Sequence, residues 1–148
     1  MNIVGFDEAG RGPLAGPVYA AAAILPSDFP VELLNDSKKI SPKMREDAAA
    51  LIMKKAAWGI ASAEASEIDT INILQASLLA MSRAWDALVL NFPACAEEKD
   101  LNALADGLYC PNLPIPCRAM VKADSQIPAV MAASILAKTA RDRIMETY

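Results

Sequence analysis

The chain has 148 residues, 54% of them hydrophobic, and a formal net charge of −4. That is one domain with a real core, too apolar for a disordered chain, and its acidity argues against a general nucleic-acid binder. It holds no histidine, which excludes a Ser-His-Asp or Cys-His site and any His-ligated metal and leaves acid–base chemistry to carboxylates, lysines, tyrosines or metal-bound water.

Met1-Asn2-Ile3 lacks a basic signal-peptide start, and no run reaches the roughly 18 uncharged apolar residues of a membrane span. The expectation is a cytoplasmic monomer with no membrane partner. Residues 2–6 read as a buried strand that ends at the paired acids Asp7 and Glu8. A Gly10-Arg11-Gly12 turn follows, then a second strand over residues 17–25, antiparallel to the first. Pro26, Ser27, Asp28 and Pro30 break the chain. Ser41 caps a helix over about 43–56, with Pro42 at its first position and Met44, Ala48, Leu51 and Ile52 as its apolar stripe.

Residues 58–64 read as a third strand. Ser66, Asp69 and Asn72 read as turn or cap residues before a long helix at about 72–90, with Leu74, Leu78, Met81, Trp85 and Leu88 at helical spacing. Residues 101–105 form a fourth strand ending at Asp106-Gly107, and residues 117–121 a fifth ending at Lys122-Ala123-Asp124. A last helix starts at Pro128 and runs into Tyr148. Cys95, Cys110 and Cys117 are odd in number and lack CxxC spacing, so they are expected to be reduced. Strands alternating with helices after an opening hairpin predict an α/β domain with a mixed sheet, spanning residues 1–148.

Three strands thus end in carboxylates: Asp7 with Glu8, Asp106, and Asp124. If these strands are parallel neighbours, their carboxyl ends share the sheet edge where ligands bind in open α/β folds. Four clustered acids repel one another unless cations join them. Two Mg²⁺ ions would balance the charge, and a two-metal site activates a water and stabilises the leaving oxygen in phosphoryl transfer. Basic residues flank this centre: Lys38, Lys39, Lys43 and Arg45 on one side, Lys138, Arg141 and Arg143 on the other. Ser134, Lys138, Arg141 and Asp142 fall on one face of the last helix, and Ala132, Leu136, Ala140 and Ile144 on the other. Basic patches around an acidic centre suit a phosphate backbone, and aromatics at 5% make base stacking a poor driving force. A duplex is the expected substrate.

The run Asp7-Glu8-Ala9-Gly10-Arg11-Gly12-Pro13-Leu14-Ala15-Gly16-Pro17-Val18 closely resembles the opening motif of ribonuclease HII, the bacterial type 2 ribonuclease H. Leu34-Asn35-Asp36-Ser37-Lys38-Lys39-Ile40 looks like its second motif. Asp106-Gly107, Lys122-Ala123-Asp124-Ser125 and Ala132 to Arg143 look like the rest, in the family's order. The resemblance implies an RNase H-like fold, a mixed five-stranded sheet flanked by helices. It also implies cleavage of the RNA strand in RNA–DNA hybrids and incision on the 5′ side of ribonucleotides embedded in duplex DNA, giving 3′-OH and 5′-phosphate ends. By the same resemblance Asp7, Glu8, Asp106 and Asp124 are catalytic and hold two Mg²⁺ or Mn²⁺ ions. Gly10, Arg11 and Gly12 sense the ribose 2′-OH, and Lys38, Lys39, Ser134 and Lys138 contact phosphates. The family also implies a C-terminal segment with a junction-stacking tyrosine, and no tyrosine up to Tyr148 answers to it. The alternative expectation is a truncated, catalytically weak nucleic-acid-binding remnant.

Overall fold

The computed structural model describes residues 2–10, 16–34 and 40–146. Arg11, Gly12, Lys38, Lys39 and Tyr148, all named above, lie outside the described residues. Among those described, five strands form one sheet in the order β3-β2-β1-β4-β5. They are β1 (Asn2–Ala9), β2 (Val18–Ile24), β3 (Ala57–Ala63), β4 (Leu101–Asp106) and β5 (Cys117–Met120). The first three are antiparallel, whereas β4 runs parallel to β1 and β5 parallel to β4. The sheet is therefore mixed, and the carboxyl ends of β1, β4 and β5 share one edge.

Three long helices cover it: α1 (Pro42–Lys55), α2 (Ala65–Asn91) and α3 (Pro128–Met145). Strand alternation sorts the core into two layers. Val4, Phe6, Ala20, Ala22, Ala103 and Ala105 face α2 through Ala80, Met81, Ala84 and Leu88. Ala21 and Ala23 face the other way, onto Ala49 and Ile52 of α1 and Ala132, Ala133 and Leu136 of α3. The small residues let backbones approach closely. A β-carbon at Gly5 of β1 would strike the backbone of Ala129 and Val130, so α3 lies directly on the first strand.

Several expectations change at the edges. β1 extends to Ala9, so Asp7 and Glu8 sit inside the strand, not after it. A helical segment that starts at Ala65, behind a capping box in which Glu64 and Glu67 each accept from the other's backbone amide, precedes the helix expected from about 72 and is continuous with it in α2. Asn72 still breaks it: φ is 72° there, and its side chain accepts from the Gln75 amide at 3.0 Å. α2 is long and apolar enough to be weighed as a membrane span, but the apolar face is spent on the sheet. On α1, Ser41 accepts from the Met44 amide at 3.2 Å as expected of a cap. Met44 itself is exposed, and only Ala49 and Ile52 are buried.

Candidate active site

Asp7 lies in β1 opposite Ala21 of β2. It shares a strand face with Gly5, hence points to the α3 side. Its side chain is only 3% exposed. Asp106 closes β4, opposite Met120 of β5, and its alternation from the α2-facing Ala105 turns it to the same side. Asp124 sits in a one-turn 3-10 segment, Ala123–Ser125, entered through Lys122 in the left-handed region at φ 60°. Asp106 Oδ1 accepts from the Ala123 amide at 2.9 Å, so the second acid holds the turn that carries the third. Carboxylate oxygens of Asp7, Asp106 and Asp124 all lie within 4.8 Å of one another.

Glu8 is displaced from this group by the same alternation, which puts it on the α2 side. There it lines a cleft of about 540 Å³ with Leu74, Leu78, Met81 and Tyr109, and Asp106, the last residue of β4, reaches the same cleft from the strand end. Its amide donates to Asp7 Oδ1 at 2.9 Å. Asp7 and Asp106 thus each commit one oxygen to a backbone amide.

The electrostatics are those of acids crowded together in a largely buried site. Burial first, then the charges of Glu8 and Asp106, hold the Asp7 carboxyl well above the usual carboxylate range. Asp106 is raised as well, by burial and then by Asp124, against the Ala123 amide that favours its charged form. The donor set fits a hard divalent cation. Three carboxylates whose oxygens come within 4.8 Å of one another would hold such a cation.

Of the other expected residues, Gly10 follows β1 with φ at 105°, a conformation that only glycine adopts without strain. Lys138 is half-buried on α3. Ser134 is fully buried, because α3 is covered on nearly all sides between Ala129 and Thr139. The division of α3 into one apolar and one polar face therefore holds only for its last turns. Arg141, which in the sequence is one member of a basic run, lies against Gly10.

The ribonuclease HII family model matches residues 4–148. The chain belongs to the ribonuclease HII family. It is 54% identical over 141 residues to the ribonuclease HII of Dechloromonas aromatica, covering 95% of this chain and 68% of that one. With the Nitrosococcus oceani ribonuclease HII it shares 52% over 149 residues, covering 100% and 70%. The crystal structure of ribonuclease H2 from Pyrococcus horikoshii OT3 superposes with a TM-score of 0.78 at 25% identity, covering 99% of this chain and 75% of that one. The RNase H-like architecture is thus the family's, and the chain is a metal-dependent endoribonuclease acting on RNA–DNA hybrids.

Proposed function

We propose that the protein hydrolyses the RNA strand of hybrids, and cuts 5′ of single ribonucleotides in duplex DNA, at a two-cation site held by Asp7, Glu8, Asp106 and Asp124. The observation that carries this reading is the trio of carboxylates within 4.8 Å around an almost fully buried Asp7. Nothing else in a folded domain repays such a cluster as well as cations and the phosphates they bind. Mg²⁺ or Mn²⁺, when bound, supplies an activated water and stabilises charge at the leaving oxygen. The attack breaks the bond from phosphorus to the 3′ oxygen, leaving a 3′-hydroxyl and a 5′-phosphate.

The protein's own part is positioning. Strand pairing fixes Asp7 and Asp106 side by side, and the Ala123 amide fixes the turn of Asp124 to them. Glu8 approaches from the opposite strand face. By the family resemblance Gly10, Arg11 and Gly12 sense the ribose 2′-OH, the one group that separates RNA from DNA. Lys38, Lys39, Ser134 and Lys138 are the proposed phosphate contacts, with the burial of Ser134 weighing against it. The protein works as a cytoplasmic monomer in this reading.

The test is cleavage of a DNA duplex carrying one ribonucleotide, beside an all-RNA–DNA hybrid, with and without Mg²⁺. Incision at the 5′ side of the ribonucleotide that needs metal and disappears in Asp7→Asn is expected. Metal-independent cleavage would overturn the proposal.

A further inference from the structure

The last turns of α3 carry a side chain whose placement its own hydrogen bonds do not explain. Arg141 Nε is buried and has no hydrogen-bond partner among the described residues. Leaving such a donor unmade costs about 1–3 kcal/mol, so packing holds the side chain there. What it packs on is Gly10. A β-carbon at Gly10 would strike Arg141 Nε, lie 2.8 Å from Arg141 Cδ and lie 2.9 Å from the carbonyl oxygen of Pro17. Gly10 therefore fills a slot between the arginine stem and the chain entering β2.

The slot is set by the way α3 lies on β1. The helix touches the strand at Gly5 through Ala129 and again at Gly10 through Arg141. From Gly5 to Gly10 an extended chain advances about 17 Å. From Ala129 to Arg141 a helix advances about 18 Å. The two elements run in step, and Arg141 is the helix residue level with the turn that leaves the acid pair.

We infer that Arg141 is a positioning residue for discrimination of the ribose 2′-OH: its aliphatic stem is the wall that fixes Gly10 relative to Asp7 and Glu8. This rests on the proposed reading of the Gly10 turn. The proposed action is through Gly10, the residue that the stem of the half-buried Arg141 touches. A displacement of about 1 Å in such a turn costs about 100-fold in rate, and it falls on the reaction that depends on the turn. A hybrid, which offers a 2′-OH at every position of its RNA strand, depends on it less.

Two variants separate the wall from the charge. Arg141→Ala removes the wall. Arg141→Met keeps an unbranched stem of similar reach and removes the charge and the orphaned donor. For each, kcat and KM are measured on the single-ribonucleotide duplex and on the hybrid, with melting temperature and salt dependence of binding. Arg141→Ala is expected to lower kcat on the single ribonucleotide about 10-fold more than on the hybrid, and Arg141→Met to restore most of that ratio. Equal losses on both substrates in both variants, with KM raised and the salt slope reduced by about one, would make Arg141 a plain phosphate contact and overturn the inference. Equal losses that follow the melting temperature would overturn it as a general packing effect. A wild type that ignores the single ribonucleotide overturns the proposed function and this inference together. A wild type that cuts it, beside an Arg141→Ala protein with an unchanged ratio, overturns this inference alone.

Discussion

Asp7→Asn is expected to stabilise the metal-free protein while abolishing cleavage. Asp7 is 3% exposed and shares its surroundings with Asp106 and Asp124 at no more than 4.8 Å. Two unit charges at that separation, with an effective dielectric of about 20, repel by about 3.5 kcal/mol. Part of this is avoided because Asp7 and Asp106 keep protons to higher pH than ordinary carboxylates. A net relief of about 2 kcal/mol, or about 4–8 °C in Tm for a domain of this size, is expected from the amide. The sign follows from linkage. A carboxyl whose folded pKa is raised adds stability below its unfolded value, and that stability is lost as pH rises through the folded value. The gap between variant and wild type is therefore small in acid and widest at mildly alkaline pH. Thermal melts in EDTA across this range measure it. Saturating Mg²⁺ should raise the wild-type Tm and leave the variant nearly unmoved, closing or reversing the gap. A variant that melts no higher than wild type in EDTA at mildly alkaline pH would refute the account of an uncompensated buried charge.

Gly10→Ala combines a strained φ of 105° with collisions at Arg141 and Pro17; a loss of about 1–3 kcal/mol in denaturant unfolding is expected, with single-ribonucleotide cleavage falling before hybrid cleavage. Asp106→Asn keeps an oxygen for the Ala123 amide and Asp106→Ala does not, so both should be inactive, yet the alanine variant should be less stable than the asparagine one by about 1–2 kcal/mol in the same assay. Glu67 is gripped at both oxygens by Arg83, at 2.8 and 2.7 Å, and its carboxyl is lowered to about 2 by those hydrogen bonds and by the Glu64 amide. The stability it lends is present above its ordinary value of 4.5 and is lost as pH falls toward about 2; a carbon-13 NMR titration should find it there, and find it back in the ordinary range in Arg83→Met.

The gathering of Asp7, Asp106 and Asp124 was legible because each ends or nearly ends an apolar run, and parallel strands bring such ends together. The start of α2 was not. Its N-cap is Glu64, outside the Ser, Thr, Asp and Asn that mark a cap, so the segment before the break at Asn72 has no legible start, whereas Asn72 caps the helix that follows it, as expected of a cap residue. Met44 fits a helical stripe by spacing, but α1 lies mainly on α3 and buries only Ala49 and Ile52. Periodicity gives a face; it does not say how wide a surface that face meets. Arg141 was hidden for a related reason. Its place beside Gly10 depends on the strand and the helix advancing in step, a match between elements more than a hundred residues apart.

Adjacent acids in a strand cannot serve a site in the same way. Asp7 and Glu8 point to opposite faces of β1, so Asp7 joins the trio while Glu8 lines the cleft under α2. Two cations would be shared unequally by such a set, with Asp7, Asp106 and Asp124 supplying a site that survives without Glu8. Glu8→Gln should therefore keep most of the Mg²⁺-dependent rise in Tm that Asp7→Asn loses, and still lose cleavage because the second charge is unsupported. Isothermal titration with Mg²⁺ beside the melts reads the same difference as one retained site in Glu8→Gln against none in Asp7→Asn. Equal loss of metal stabilisation in the two variants would mean that the four carboxylates bind as one unit, and that alternation along β1 does not divide the site.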